Sequence, residues 1–332
     1  MEDKQRAERV VQILKEYKTR PNKDLASAMP IGVTMTFVSN VQIINNSELP
    51  TLDNICIAKA LFSRLKKYDL ILMHQISLKY IFLLILLRKP LIIVTHVWET
   101  DNPRRIVKLV SALKLRIMTS SRVQLVSVSQ SIRSKLGNQG VVIQNRTKFS
   151  LKRKMNYERK LDLLFVGRFH EGKGVFIFLE IIKKYYVETG MSLACTMVGE
   201  GPELARIREC LNYLGIKDQV RILPWMSRAD LYETYLKHQI LIVPSLCDEA
   251  YGLVAAEGLA LGLDVYCSNR GGLMEATLNR ATYFDVENLD SLILELKQYF
   301  GESKNLKKQR NPIEELNFDI TVSEYHQLFM KV

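Results

Sequence analysis

The chain has 332 residues, more than one hydrophobic core usually holds, and its 47% apolar content is enough for two domains to bury a core each. Five scattered cysteines and five dispersed histidines lack the spacing of a disulfide framework or a metal centre, which argues against both classes and favours a reducing compartment. The longest apolar run, residues 80–87, is far shorter than the roughly 20 residues of a membrane-spanning helix, and the charged N-terminus does not resemble a secretory signal.

Positive charge is concentrated in the first half. Residues 1–157 hold 27 of the 47 Lys and Arg but 10 of the 35 Asp and Glu, a balance of +17, whereas the remainder has a balance of −5. This asymmetry indicates an anionic partner for the first half: a membrane surface, a phosphate-bearing acceptor or nucleic acid. A lysine-rich solubilising surface is the alternative. Nucleic acid is disfavoured, because basic and aromatic residues do not interleave and no nucleic-acid module is recognisable.

Short apolar segments alternate with helical patterns through the first half, which predicts a parallel α/β sheet. His96 directly follows one of these segments, and ligands of such sheets collect beyond the carboxyl ends of the strands. The predicted helices are 5–19, 51–67, 76–87, 104–117 and 129–136, and the predicted strands are 31–38, 41–45, 70–73, 91–95, 123–128 and 141–143. Residues 146–160 are strongly basic and lack apolar periodicity, so they are interpreted as an interdomain linker.

A second α/β domain is predicted from residue 161. Its first strand, 161–166, leads into Gly167-Arg-Phe-His-Glu-Gly-Lys-Gly and a helix from 175 to about 187. Glycines permit a tight turn there, while Arg168 and Lys173 add positive charge beside a helix N-terminus, which indicates an anion site. The spacing approaches that of a Walker A loop, but Gly174 stands where Ser or Thr would hold Mg²⁺, which argues against an NTPase.

Two carboxylates bracket a second predicted anion site. A strand at 240–243 is followed by a polar turn and by a helix that opens near Gly252, with Glu249 before the helix and Glu257 within it. Eight helical residues rise roughly 12 Å, so these carboxylates are too far apart to act as an acid–base pair on one bond. They suit a long ligand with a charged middle, and a sugar–diphosphate–nucleoside has that shape.

These stretches resemble the retaining nucleotide-sugar glycosyltransferases of family four, which carry an E-x7-E motif on an α/β GT-B fold of two doubly wound Rossmann-like domains facing a cleft. Glu249 to Glu257 matches that motif, 167–174 matches G-R-x4-K-G, 199–202 matches G-x-G-P, and 271–275 matches G-G-x-P-E with Met274 in place of Pro. More loosely, 127–131 and 142–145 resemble a Ser-rich turn and an Ile-Pro-Asn segment of the family.

The resemblance implies a role for each matching residue. Glu249 would face the transferred sugar, Glu257 would bind the ribose hydroxyls, and Arg168 and Lys173 would hold the diphosphate. His96 matches a position that contacts the donor sugar, so the implied catalytic set is Glu249, His96, Arg168 and Lys173. The implied donor-binding set is Gly167, Arg168, Lys173, Gly199, Gly201, Tyr251, Gly252, Leu253, Val254, Glu257, Gly271, Gly272 and Glu275.

The function that follows is sugar transfer with retention at the anomeric carbon, from a UDP- or GDP-linked donor and with no metal or other cofactor. The expected domains are an acceptor-side domain at 1–150, a linker at 151–160, a donor-binding domain at 161–312 and a C-terminal helix at 313–332 that packs toward the first domain. A glycan or a lipid-linked acceptor is expected, with the protein in the cytoplasm or peripheral on the inner face of a membrane. Residues 1–30 lack the family's usual Gly-rich loop, so a nucleotide-sugar-binding subunit without activity is the alternative.

Overall fold

The computed structural model describes residues 41–45, 70–74, 90–96, 123–149, 160–302 and 313–329. The chain forms two compact units, residues 1–145 together with 319–332, and residues 146–318. The expected strand at 31–38, the expected helices at 5–19, 51–67, 76–87 and 104–117, and residues 151–159 of the expected linker lie outside the described residues. No helix in the described ranges is long and apolar enough to cross a membrane.

The first unit contains a parallel sheet. The described strands follow the order β1-β2-β3-β4-β5, and each pairs in parallel with the next. Their bounds are β1 Val41–Asn45, β2 Leu70–His74, β3 Leu91–Thr95, β4 Val123–Ser127 and β5 Val141–Val142. Every residue of β3 is buried, as expected for a strand in the middle of an α/β sheet.

Two helices accompany this sheet among the described residues. Helix α1, Gln130–Lys135, begins at Ser129, whose hydroxyl accepts a hydrogen bond from the Ile132 amide at 3.1 Å. The second is α8, Phe318–Phe329, near the C-terminus. It is tied to the segment after β5, because the Thr321 hydroxyl donates to the Gln144 carbonyl at 2.7 Å.

The second unit contains a six-stranded parallel sheet in the order β8-β7-β6-β9-β10-β11. Its strands are β6 Lys160–Val166, β7 Cys195–Val198, β8 Val220–Leu223, β9 His238–Val243, β10 Asp264–Ser268 and β11 Thr282–Phe284. Its helices are α2 Val175–Thr189, α3 Leu204–Leu214, α4 Arg228–Lys237, α5 Leu253–Ala260, α6 Leu273–Ala276 and α7 Asp290–Glu302. This is the doubly wound dinucleotide-binding order, in which the strand order reverses between the first strand, β6, and the fourth, β9.

Helices cover both faces of this sheet. Side chains alternate along each strand, and Phe165 and Ile242 belong to a core cluster that also contains residues of α2, α3 and α7. The alternate residues Leu241 and Val265 are also buried, and they contact α5 on the opposite face at Gly258. The expectation of a doubly wound α/β fold is therefore confirmed for this unit.

Two elements of the second unit are observed close to their expected bounds: the strand expected at 161–166 is β6, and the helix expected from 175 to about 187 is α2. The sequence also predicts a helix over 231–236, and the corresponding helix α4 begins three residues earlier, at Arg228. The cause is Ser227, whose hydroxyl accepts a hydrogen bond from the Asp230 amide at 3.2 Å and caps an additional turn.

Candidate functional site

The loops that follow β6 and β9 meet at the reversal point of the second sheet. The amides of Leu246 and Cys247 both donate to the Gly172 carbonyl at 3.0 Å. Gly174 has a left-handed backbone with φ of 70°, and a Cβ there would overlap the Pro244 carbonyl. The two loops are therefore packed backbone against backbone, beyond the carboxyl ends of adjacent strands, where ligands of such folds bind.

A charged pair connects these loops. The Lys173 ammonium donates to both carboxylate oxygens of Glu249, at 2.7 Å to Oε1 and 2.8 Å to Oε2. The Ser245 hydroxyl donates to the same Oε1 at 2.6 Å, and the Ser245 carbonyl accepts from the Ser268 hydroxyl at 2.7 Å. The Lys173 side chain is 37% exposed and that of Glu249 is 14% exposed, so the lysine retains access to solvent while the carboxylate is held within the site.

The loop after β10 supports Glu249 from its backbone. The Gly272 amide donates to the Glu249 carbonyl at 2.7 Å. Gly271 has φ of 60°, and a Cβ there would overlap that same carbonyl. Both glycines belong to the donor-binding set that the resemblance implies. The structure shows that they accommodate protein backbone, so they fix the position of Glu249.

Two helix N-termini open at the site. Helices α2 and α5 begin after Gly174 and Gly252, neither of which supplies a capping side chain. The first amides of each helix are therefore not capped by a side chain, and the helix dipoles favour negative charge there. Arg168 is exposed on the same loop between β6 and α2 that carries Lys173.

Glu257 lies in a different environment on α5. It is buried, accepts a hydrogen bond from the Tyr235 hydroxyl at 3.0 Å, and lies 3.8 Å from Arg228 Nη2. Burial raises the pKa of Glu257 to about 7, whereas Arg228 and the Tyr235 bond act to lower it. Sequence analysis missed Arg228 and Tyr235. Arg228 belongs to no recognisable motif. In the sequence, Tyr235 is indistinguishable from an ordinary apolar position of a helix.

The other expected donor-binding residues of the second unit occupy loops and helix ends around this site. Gly167 directly follows β6. Gly199 and Gly201 follow β7, and a Cβ on either would overlap the backbone of the loop after β6. Tyr251 is buried in the loop before α5, Leu253 and Val254 form the first turn of α5, and Glu275 lies on α6.

His96 belongs to the first unit, directly after β3, whereas the rest of the expected catalytic set lies in the second unit. Burial lowers the pKa of His96 to about 4. The imidazole is therefore neutral near pH 7 and able to act as a hydrogen-bonding group rather than as a cation. In the ranges that the structure describes, no group of three or more His, Cys, Asp or Glu could hold a metal ion.

Residues 147–315, just over half of the chain, match the family described as glycosyl transferases group 1. The chain belongs to this family. The matched region contains the loops after β6, β7, β9 and β10, and therefore the Lys173–Glu249 pair and Glu257. The resemblance to family four that the sequence motifs carried is thus confirmed.

Proteins similar in sequence or in structure support this family membership. A D-inositol 3-phosphate glycosyltransferase of Streptosporangium roseum is 31% identical over 136 residues, which cover 39% of this chain and 31% of that enzyme's length. A glycosyltransferase from Rickettsia africae has a TM-score of 0.68 at 16% identity, covering 99% of this chain and 94% of the other. Anabaena HepE in complex with UDP-glucose has a TM-score of 0.65 at 15% identity, covering 83% and 81%. These structures confirm the expected GT-B fold class. The chain spans about a third of the length of the curated relative.

Proposed function

We propose that the protein transfers a sugar from a nucleotide-diphosphate sugar to an acceptor, with retention at the anomeric carbon. The observation that carries this proposal is the Lys173–Glu249 pair, which joins the loops after β6 and β9 at the reversal point of the sheet. It supports the proposal because a cation suited to a diphosphate lies beside a carboxylate suited to a sugar.

Negative charge accumulates on the nucleoside diphosphate as it departs, and stabilising that charge is the main electrostatic demand of the reaction. Lys173, Arg168 and the N-termini of α2 and α5 supply the positive potential. This set of groups supports transfer without a metal ion.

The contacts of Glu249 bear on the stereochemistry. The Glu249 oxygens already accept hydrogen bonds from Lys173 and Ser245, and lone pairs engaged in this way are less available for covalent attack. This favours front-face transfer, in which the leaving phosphate takes the proton of the acceptor hydroxyl. In this mechanism Glu249 orients the sugar.

The donor and acceptor are proposed from other features. UDP-glucose in the HepE complex supports a UDP-linked donor, with GDP as the alternative. The positive balance of residues 1–157 supports an anionic acceptor, either phosphate-bearing or lipid-linked at the cytoplasmic face of a membrane. The name of the inositol-phosphate relative agrees with an anionic acceptor.

A thermal-shift screen against UDP, GDP, ADP and their sugars tests the proposal. One matching nucleotide should stabilise the protein by about 2.7 kcal/mol at a hundredfold excess over Kd. Lys173→Ala and Arg168→Ala should each lower transfer by roughly two to three orders of magnitude. The control is Lys297→Ala, since Lys297 pairs with Glu188 across α2 and α7. No stabilisation by any of these compounds, or near-normal transfer by both site variants, would overturn the assignment.

A further inference from the structure

A cluster around Glu257 extends beyond the motif that contains it. The Arg228 guanidinium lies over the Phe149 ring at 4.9 Å from its centroid and reaches toward Glu257. Phe149 also contacts two tyrosines of α4, with centroid distances of 5.6 Å to Tyr232 and 5.9 Å to Tyr235. These five residues, called here the Arg228 cluster, come from three parts of the second unit: the segment before β6, α4 and α5.

We propose that Arg228 and Tyr235 are positioning residues that hold Glu257 as an anionic acceptor for the ribose hydroxyls of the donor, and that Phe149 holds Arg228 in place. The inference rests on the proposed function, because it needs a ribonucleotide in the second unit.

The two carboxylate oxygens of Glu257 have different partners. Oε2 accepts the Tyr235 hydrogen bond at 3.0 Å. Among the described residues, the nearest charged partner of Oε1 is Arg228, which at 3.8 Å is too far for a hydrogen bond. Oε1 therefore retains capacity to accept from a ligand, and a vicinal diol offers two donors to such a carboxylate.

A structural role alone accounts poorly for this arrangement. Burying a carboxylate is unfavourable unless close partners compensate it, and here the ion pair is long. The Arg228 side chain is 44% exposed, whereas that of Glu257 is 11% exposed, so Arg228 could reach solvent instead. The Phe149 ring keeps the guanidinium on the side of Glu257.

Phe149 is itself fixed. It is buried, and its amide donates to the Thr147 hydroxyl at 2.9 Å. Thr147 forms a parallel bridge with Asn317. These contacts hold the segment that carries the ring, so the ring can support Arg228.

No other described cation competes for Glu257. On α4, Arg228 and Tyr235 are the ionisable groups that face it. Other ionisable groups lie on the elements packed against α5. His238 of β9 contacts Thr196, Asp264 of β10 accepts from Tyr299, and Tyr266 and Cys267 of β10 are buried. Glu315 of the turn before α8 pairs with Arg280, and Glu275 is half-buried on α6.

Ionisation of Glu257 should then govern affinity for the ribose. Because burial raises its pKa to about 7 and Arg228 opposes that shift, donor affinity should fall as the pH drops below 7. Replacing Arg228 by Met removes the opposing charge, so the fall should begin at a higher pH.

The test measures binding of UDP and of its 2′,3′-dideoxy analogue by calorimetry, or of the GDP pair if GDP is the nucleotide that stabilises the protein. Tyr235→Phe should weaken binding of the ribonucleotide about tenfold, the scale of a hydrogen bond to a charged group. Arg228→Met should weaken it to a similar extent, because it removes the charge that favours the anionic form of Glu257. Neither should change binding of the dideoxy analogue. Phe149→Leu should weaken ribonucleotide binding less than Arg228→Met does. Arg228→Lys should keep part of the affinity that Arg228→Met loses.

Lys173→Ala is the comparison variant, because it should weaken both nucleotides equally through the phosphates. Arg228→Met should also displace the pH profile of ribonucleotide affinity upward, which a purely structural residue would not do. If the wild type binds nucleotide but Arg228→Met binds both analogues as the wild type does, or loses both equally, the positioning role is wrong. If the wild type binds neither nucleotide, the proposed function itself fails.

Discussion

The two glutamates of the E-x7-E motif have different surroundings. Glu249 is held by a lysine and a serine on adjacent loops, whereas Glu257 is buried on α5 with Tyr235 and a more distant Arg228. Under the proposed function, Glu249 beside Lys173 is suited to contact the reacting sugar. A buried acceptor is suited to recognition of a fixed part of the donor.

Amide substitutions should separate these roles. Glu249→Gln should mainly lower kcat, by about a hundredfold, because it alters contacts at the reacting sugar. Glu257→Gln should mainly raise the donor KM, by about tenfold. Steady-state kinetics at saturating acceptor measures both constants, and interchangeable effects of the two variants would contradict the division.

Glu257 should also influence stability in a pH-dependent manner. Its pKa in the folded protein, about 7, lies above the ordinary value of 4.5. Its contribution to stability is therefore present below about pH 4.5 and is lost as the pH rises through 7. Glu257→Gln has no such loss, so its free energy of unfolding relative to the wild type should increase between pH 5 and pH 8, by up to roughly 3 kcal/mol.

Urea unfolding of both proteins at several pH values measures this difference. The comparison is internal, since every other ionisable group is the same in the two proteins. A difference that stays constant across this range would show that the folded protein does not raise the pKa of Glu257.

The loops after β6, β7, β9 and β10 form one assembly held by backbone contacts. Amides of the β9 loop donate to Gly172, and the β10 loop donates to Glu249. Side chains of the site therefore depend on glycines that allow the loops to approach, of which Gly174 is the most constrained.

Gly174→Ala should disrupt this assembly. Gly174 and Gly190 both have φ of 70°, but a Cβ at Gly174 would overlap the Pro244 carbonyl, while nothing lies within 4 Å of a Cβ at Gly190. Gly190→Ala should therefore lower stability by about 1 kcal/mol through backbone strain alone. Gly174→Ala should lower it by several times that amount and abolish donor binding. Chemical unfolding and calorimetry measure both effects, and equal losses in the two variants would argue against loop packing as the constraint.

Sequence reasoning predicted the strands and the glycine turns of the second unit because their apolar runs and turn residues are local signals. The meeting of Lys173 with Glu249 was not predicted, since 76 residues separate them and their contact follows from the adjacency of β6 and β9. Phe149 and Arg228 carried no signal, because a ring over a guanidinium depends on packing between distant segments. The contact of Gly271 with the Glu249 carbonyl was also not predicted, since a glycine in the sequence does not distinguish a close ligand from close backbone.

The two halves of the sequence differ in net charge. The balance of +17 over residues 1–157 predicts attraction to anionic surfaces, with each suitably placed Lys or Arg contributing about 1 kcal/mol. Sedimentation with liposomes should show binding to anionic but not neutral vesicles. Binding should weaken toward roughly 0.5 M salt, where screening shortens to a few ångströms. Equal binding to both vesicle types, or binding to neither, would favour a soluble acceptor.

We conclude that the protein is a transferase and not a nucleotide-sugar-binding subunit without activity. Release of nucleoside diphosphate from the stabilising donor, measured in EDTA with and without a lipid extract as the source of acceptor, tests it most directly. The wild type and the surface control Glu188→Gln should release diphosphate about a hundredfold faster than Glu249→Gln. Glu188 suits this control because it pairs with lysines on α2 and α7. If the donor binds but the wild type releases diphosphate no faster than Glu249→Gln, the protein binds nucleotide sugars without transferring them.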